Sequence, residues 1–110
     1  TFLSSGLEKC IEIINKRYHP NSWNIYSFHC SDGENWPEDN KKAIDYSVQL
    51  KSICQLYGYI QIILNSFSNR SLEMGENYLP IAGDNFKIVN INKKEDIWPE
   101  FKKLFGGRIE

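Results

Sequence analysis

The stretch that decides the fold is residues 23–37, which read WNIYSFHCSDGENWP. Its first eight residues are mostly aromatic or β-branched, so they predict a strand over 23–30. A Ser-Asp-Gly sequence typical of turns follows directly, and a helical pattern begins near Glu38. In α/β proteins, ligands usually bind in the loops that follow the carboxyl ends of strands. Asp32 lies in such a loop, which makes it the first candidate for a functional residue.

On either side of this stretch, the chain alternates helices with strands. A capping-box sequence at Ser5 and Glu8 predicts the start of the first helix, and Gly58 is placed to end the second. The predicted helices cover 5–18, 38–57, a short segment at 70–74 and a last segment between 96 and 106, and the predicted strands cover 23–30, 59–64 and 86–91. This alternation predicts an α/β fold, in which a parallel sheet with right-handed crossovers is flanked by helices.

The bulk composition indicates one globular domain or part of one. The chain has 110 residues, of which 41% are apolar and 25% charged, and this balance is unlike that of disordered chains. A formal net charge of -1 gives no support to a nucleic-acid or anionic-membrane partner. Because we find neither a membrane-spanning apolar run nor a signal peptide, we expect a cytoplasmic protein.

The cysteines and the first residue add two further expectations. Cys10, Cys30 and Cys54 each lie within an apolar pattern and lack the spacing of a zinc site, so we expect buried free thiols in a reducing compartment.

The chain begins at Thr1 rather than at a methionine and enters a helix almost at once. Three strands are also few for a doubly wound sheet. We therefore expect residues 1–110 to be a single, partial domain.

Asp32 has two interpretations that its local sequence leaves open. As a functional residue, it would be a metal ligand, with Ser31 and Asn35 as polar neighbours, since Mg²⁺ prefers oxygen ligands. As a structural residue, it would only shape an Asp-Gly turn. Thr1 has a similar pair of interpretations, because its hydroxyl could serve the same metal or belong to a helix-capping cluster with Ser4 and Ser5.

His29 and Trp36 are weaker candidates near the same loop. His29 could orient Asp32, or it could be a half-buried histidine without a functional role. Trp36 could be an anchor for a partner protein, or it could pack over the start of the second helix. The sequence contains no G-x-S-x-G, H-E-x-x-H or P-loop motif, so none of these residues belongs to one of these catalytic motifs.

Three segments carry a resemblance to a known family. Residues 1–40, TFLSSGLEKCIEIINKRYHPNSWNIYSFHCSDGENWPEDN, together with LYGYIQI and NKKEDIWPEFKKLF, closely resemble the YeaH/YhbH family of bacterial proteins. That family is associated with sporulation and stress responses. The resemblance implies a von Willebrand factor A-like domain with a metal-ion-dependent adhesion site. Such a site combines a D-x-S-x-S motif, a threonine and a later aspartate.

Matched by position, Thr1 would be the threonine of that site and Asp32 the later aspartate. The D-x-S-x-S motif has no counterpart in this sequence, so the resemblance implies the C-terminal half of the domain and half of the metal site. It implies Mg²⁺ or Mn²⁺ in the full-length protein and no tight metal binding by these residues alone. Ser31, Asn35 and His29 are the supporting candidates and Trp36 the candidate partner contact.

The function that this resemblance implies is a non-catalytic protein-interaction module. A serine kinase of the PrkA type and a SpoVR-like protein are the partners that the resemblance suggests. Two alternatives stay open: a Mg²⁺-dependent phosphoryl-transfer enzyme or hydrolase that uses Asp32, and a structural domain with an empty site. If the neighbour of strand 23–30 is missing, that edge should also cause self-association of the 110-residue chain.

Overall fold

The structure is a computed structural model that describes residues 2–32, 35–62 and 77–105. Its helices are α1 (Leu3–Arg17), α2 (Asn40–Ile53) and α3 (Ile97–Leu104), and its strands are β1 (Tyr26–Ser31), β2 (Leu56–Ile62) and β3 (Phe86–Ile91). Short 3-10 turns at Pro37–Asp39, Leu79–Ile81 and Lys94–Asp96 connect these elements. The strands form one parallel sheet in the order β1-β2-β3. The predicted α/β fold with a parallel sheet and flanking helices is confirmed, and it is compatible with a Rossmann-like fragment.

The two faces of the sheet carry two separate apolar clusters. Tyr57 and Tyr59 of β2 belong to the larger cluster, which joins the sheet to α1 and α2. Leu56 and Ile60 alternate with them and belong to a smaller cluster with α3. Strand β2 is buried on both faces, as expected of a central parallel strand. The register pairs Ser31 of β1 with Gln61 of β2, so the carboxyl ends of these strands lie side by side.

The second helix ends earlier than predicted. The spacing of apolar residues suggested a helix over 38–57 that Gly58 would end, whereas α2 ends at Ile53 and β2 begins at Leu56. The backbone of Gln55 already donates a hydrogen bond to the carbonyl of Ile25 at 2.8 Å. Gly58 is therefore not a helix cap but a central strand residue. A short apolar run reads equally well as helix or strand, and here sheet pairing decides.

The first strand also differs from its prediction. It covers Tyr26–Ser31 rather than 23–30, and Trp23 lies before it with 53% of its surface exposed. Within the described residues, β1 pairs with β2 only and forms one edge of the sheet. Its Cys30 is exposed, so the prediction that all three thiols are buried is wrong for this residue, while Cys54 is buried. The predicted helix at 70–74 and residues 63–64 of the second strand lie outside the described residues.

No helix within residues 2–32, 35–62 and 77–105 has both the length and the apolar character needed to span a bilayer.

Candidate functional site

Asp32 lies on the surface directly after the carboxyl end of β1. The preceding residue, Ser31, is half-buried and its side chain is hydrogen-bonded to Tyr59 of the neighbouring strand. Burial raises the pKa of Tyr59 to about 12, the hydrogen bond with Ser31 opposes this rise, and the negative charge of Asp32 adds to it. Tyr59 is therefore a neutral phenol at physiological pH, and its hydroxyl is hydrogen-bonded to Ser31, the residue before Asp32.

The start of α1 is attached to the same loop. The amide of Leu3 donates to Asn35 Oδ1 at 3.1 Å, and the amide of Ser4 donates to Asp39 Oδ2 at 3.0 Å. The Ser4 hydroxyl donates to Asp39 Oδ1 at 2.5 Å. These contacts satisfy backbone N–H groups that an α-helix leaves unpaired in its first turn. They hold the first turn of α1 beside the segment that follows β1.

This arrangement corrects the predicted capping of the first helix. Helix α1 begins at Leu3 after Phe2, which makes no side-chain cap, rather than at a capping box of Ser5 and Glu8. Glu8 instead accepts a hydrogen bond from the hydroxyl of Tyr46 on α2. The capping acceptors come from Asn35 and Asp39, which are more than 30 positions away in the sequence.

Asp39 is the most buried carboxylate of this region, with 4% of its surface exposed. Burial alone would raise its pKa, but hydrogen bonds from Ser4 and Asn35 and the nearby charge of Lys42 outweigh burial and lower the pKa below its usual value. Asn35 donates to Asp39 at 3.2 Å and to Asn40 at 3.0 Å. Asp39 therefore stays ionised while the hydrogen bonds of the α1 terminus occupy both its oxygens.

His29 is half-buried on the face of the sheet that carries the larger cluster, where it contacts Tyr57 and Tyr59. Its Nδ1 is hydrogen-bonded to the hydroxyl of Tyr57 at 3.4 Å, and its ring lies edge-on to Tyr59 at 5.2 Å between centroids. Burial lowers the pKa of His29, because the protonated ring loses its hydration there. A role of His29 in orienting Asp32 stays a prediction.

A chain of buried hydroxyls continues from His29 through the core. The fully buried Ser47 hydroxyl lies 3.2 Å from the Tyr57 hydroxyl and donates to the Tyr78 hydroxyl at 2.9 Å. The Tyr78 ring packs edge-on against Tyr59 with a centroid separation of 4.8 Å. The network joins β1, α2, β2 and the 77–81 segment, and it fixes the sheet beneath the candidate site.

The structure brings several of the predicted site residues to one edge of the sheet. Ser31, Asp32 and Asn35 lie in or next to the loop after β1, and Trp36, with 56% of its surface exposed, directly follows Asn35. Thr1 lies outside the described residues. Within those residues no group of three or more His, Cys, Asp or Glu side chains is positioned to hold a metal ion. The roles proposed for Asp32, Thr1 and Trp36 stay predictions.

The sequence interpretation missed Asp39 and Tyr59. Asp39 carries a weak signal, since an acidic residue near the start of a helix is common and the helix dipole is a sufficient reason for it. Nothing local indicates that its carboxylate binds a second helix 35 residues away. Tyr59 is the first residue of the predicted strand 59–64, and only the pairing of β1 with β2 puts its hydroxyl beside Ser31.

Comparison with known proteins gives a consistent result over almost the whole chain. The family model described as Protein of unknown function (DUF444) matches residues 1–108. A UPF0229 protein of Ruminiclostridium cellulolyticum is 49% identical over 104 residues, which cover 94% of this chain and 26% of the relative. A UPF0229 protein of Erwinia tasmaniensis is 37% identical over 111 residues, which cover 100% of this chain and 26% of the relative. No solved structure matches the chain.

These relatives are much longer than the chain. It spans 26–28% of the length of the first relatives that it matches, including a UPF0229 protein of Clostridium perfringens that is 32% identical over 110 residues. The resemblance to the YeaH/YhbH proteins is confirmed, since these form the same family. Because the family model matches residues 1–108, the chain belongs to the DUF444 family, and the relatives described above are named UPF0229 proteins.

Proposed function

We propose that this chain supplies part of a divalent-metal-dependent protein-binding site, in which the carboxylate of Asp32 is a metal ligand. The site is of the adhesion type, so that an acidic side chain of a partner protein completes the coordination of Mg²⁺ or Mn²⁺. Its place is the cytoplasm, and its role is binding rather than catalysis. A PrkA-type serine kinase and a SpoVR-like protein are the partners that the family resemblance suggests.

The observation that carries this proposal is the attachment of α1 to the loop after β1. Leu3 and Ser4 are hydrogen-bonded to Asn35 and Asp39, and this supports a site in which Thr1 and Asp32 cooperate. Thr1 precedes Leu3 by two residues, and Asp32 precedes Asn35 by three. Two segments far apart in the sequence thus meet at the edge of the sheet where α/β proteins usually bind ligands.

The residues at this edge divide into two roles. Asn35 and Asp39 hold the helix terminus through their side-chain oxygens, so they position the loop. Asp32, which lies on the surface, is the carboxylate proposed to meet the metal. Carboxylate and hydroxyl oxygens fit Mg²⁺ or Mn²⁺, which prefer hard oxygen ligands and retain several waters. Since this set is incomplete, other residues of the longer family protein would supply further ligands.

Catalysis by Asp32 would require a nearby base or nucleophile, and the environment of His29 argues against that role for this histidine. His29 is half-buried, its Nδ1 is hydrogen-bonded to the Tyr57 hydroxyl, and its ring packs edge-on against Tyr59. A general base must reach a substrate proton within hydrogen-bond distance. The geometry therefore favours a binding site at the surface over an acid–base site.

The test is titration calorimetry with Mg²⁺ and Mn²⁺ on a full-length family protein that contains this segment. Wild type should bind the metal saturably, and Asp32→Ala should weaken binding by about tenfold or more, as loss of a metal-site residue usually does. Asp45→Ala is the matched control, because Asp45 is an exposed carboxylate on α2 whose partner is Lys41. Equal metal binding by wild type and Asp32→Ala would contradict the proposal.

A second measurement separates binding from catalysis. The same proteins are assayed with a generic phosphate ester in the presence of Mg²⁺. We expect no turnover in any of them. Turnover in wild type and in Asp45→Ala that Asp32→Ala abolishes would replace the binding function by the hydrolase alternative.

A further inference from the structure

The face of the sheet opposite α1 and α2 carries an apolar groove beside α3. The groove has a volume of about 560 Å³ and lies toward the carboxyl ends of the strands. Its walls and floor come from all three strands and from α3, and they include Phe28 and Cys30 of β1, Ile60 of β2, Val89 of β3, and Ile97 and Phe101 of α3. The apolar part of the groove is therefore built on strands and a helix.

Helix α3 covers only part of this face. Its Phe101 and Phe105 rings lie 5.7 and 6.0 Å from the Phe28 ring, yet 42% of the surface of Phe28 stays exposed. Cys30 and Ile97, which also line the groove, are exposed as well. Parallel sheets are normally covered by helices on both faces, because their strands are apolar on both sides. The open part of this face is where a further helix would complete the layer.

The charge at the rim of the groove indicates the chemistry of its occupant. Lys93 and Lys94 stand at one end, beside Asn92, and the described residues that line the groove include no carboxylate. An apolar helix face would bury the walls of the groove, and an acidic side chain at its end would meet the two lysines. Such a pair of charges at a rim contributes mainly to the register and orientation of the contact.

We propose that an amphipathic helix with an acidic residue at one end fills this groove, and that it comes from the part of the family polypeptide outside this chain. The chain spans 26–28% of the length of its relatives, so a family protein has about three quarters of its residues elsewhere. A tethered helix meets the groove at a high effective concentration, unlike a separate protein. This inference does not depend on the metal site, since Asp32 does not line the groove.

Cys30 provides a direct probe of whether the groove is covered. In a full-length family protein that contains this segment, the rate of alkylation of Cys30 is measured by mass spectrometry of its peptide. The covered groove should make Cys30 react at least about tenfold more slowly than in the urea-unfolded protein, because reaction then requires local opening. Reaction of native Cys30 within about twofold of the unfolded rate would overturn the proposal.

Charge reversal at the rim tests the acidic end of the helix. The double variant Lys93→Glu/Lys94→Glu should speed the alkylation of Cys30, because like charges would then repel the helix end. Lys9→Glu/Lys16→Glu is the matched control, since it makes the same change of charge at exposed lysines of α1, on the other side of the sheet. An unchanged rate in the rim variant would overturn the acidic contact.

Zero-length cross-linking with a carbodiimide identifies the origin of the helix. We expect Lys93 or Lys94 to be joined to a carboxylate of the same polypeptide outside this chain. Mixing isotope-labelled with unlabelled protein distinguishes this product from a link between two copies. A link between copies would overturn the assignment, and so would a link to Glu73 or Glu76, which would assign the groove to this chain's own residues.

Discussion

The carboxylate of Asp39 accepts hydrogen bonds from both the amide and the hydroxyl of Ser4, across 35 positions of the sequence. Through this contact, the turn that leads into α2 caps the first turn of α1. The two helices lie on the same face of the sheet, and Asn35 adds a second connection through the amide of Leu3. The loop that contains Asp32 is consequently bounded by fixed structure at its far end.

Replacement of Asp39 by asparagine should destabilise the protein by about 2 kcal/mol, since buried hydrogen bonds to a charged group are lost and donors stay unpaired. The measurement is urea unfolding followed by circular dichroism. Asp45→Asn is the control, and it should change the free energy of unfolding by less than about 0.5 kcal/mol, as surface substitutions usually do. Equal stability of Asp39→Asn and Asp45→Asn would show that this contact contributes nothing to folding.

This contact also marks the limit of what the sequence could predict. A composition rich in aromatic and β-branched residues located β1 to within three residues, and the predicted strand 86–91 coincides with β3. The end of α2 was misplaced because Cys54 and Tyr57 continue a helical spacing that sheet pairing overrides. The Asp39 cap joins two helices through tertiary structure, and it leaves no local pattern to detect. For the site, the sequence indicated the loop after β1 and Asn35 within it, but not that Asn35 and Asp39 bind the start of α1.

Ser47 should be a second stabilising position, with a distinctive response to double substitution. Ser47→Ala leaves the buried hydroxyls of Tyr57 and Tyr78 without this partner, so we expect a loss of about 1–3 kcal/mol. Adding Tyr78→Phe should recover part of the loss, because one of the unpaired hydroxyls is then absent. Ser52→Ala is the control, since its exposed hydroxyl bonds only to the Gln49 carbonyl among the contacts described.

A double-substitution cycle at equilibrium measures this coupling directly. Purely additive effects of Ser47→Ala and Tyr78→Phe would contradict the network.

His29 should make stability depend on pH in a defined direction. Burial lowers its pKa in the folded protein below the ordinary value of 6.5, so the unfolded chain binds the proton more readily. The contribution of neutral His29 to the free energy of unfolding is therefore fully present above pH 6.5. It is lost progressively as the pH falls through 6.5 toward the lowered pKa of the folded protein. His29→Gln should reduce this loss between pH 7 and 5, as measured by thermal unfolding.

The control for this experiment is His19→Gln, which replaces an exposed turn residue and leaves His29 in place. It should keep the dependence on pH that His29 causes. A parallel pH profile for wild type and His29→Gln would contradict the burial of a neutral imidazole.

Replacement by alanine should change the free energy of unfolding in opposite directions at two glycines. A Cβ at Gly58 would lie 3.1 and 3.2 Å from the two δ-carbons of Leu104 and 3.2 Å from Phe28 Cδ1, so Gly58→Ala should destabilise by about 1–3 kcal/mol. At Gly6, in α1, a Cβ meets nothing within 4 Å. Gly6→Ala should stabilise by about 0.5–1 kcal/mol, because alanine favours the helix. Urea unfolding of both variants checks these values, and the same sign for both would contradict the packing at Gly58.

Strand β1 should cause self-association of the 110-residue chain when it is studied alone. Within the described residues its outer edge has no pairing partner, and residues 23–31 contain no lysine, arginine or carboxylate that would oppose pairing with a second chain. The opposite edge strand, β3, carries Lys87. Light scattering over a concentration series should therefore show dimers or larger species.

Tyr26→Lys should shift this equilibrium toward the monomer, because it places a charge at an exposed position of the β1 edge strand, where a second chain would pair. Val48→Lys adds the same charge on α2, where the side chain is also exposed, and should leave association unchanged. If both variants reduce association equally, net charge rather than the β1 edge controls it. A monodisperse monomer of the wild-type chain at every concentration would contradict the prediction altogether, since an unpaired apolar edge of this length would then be tolerated in water.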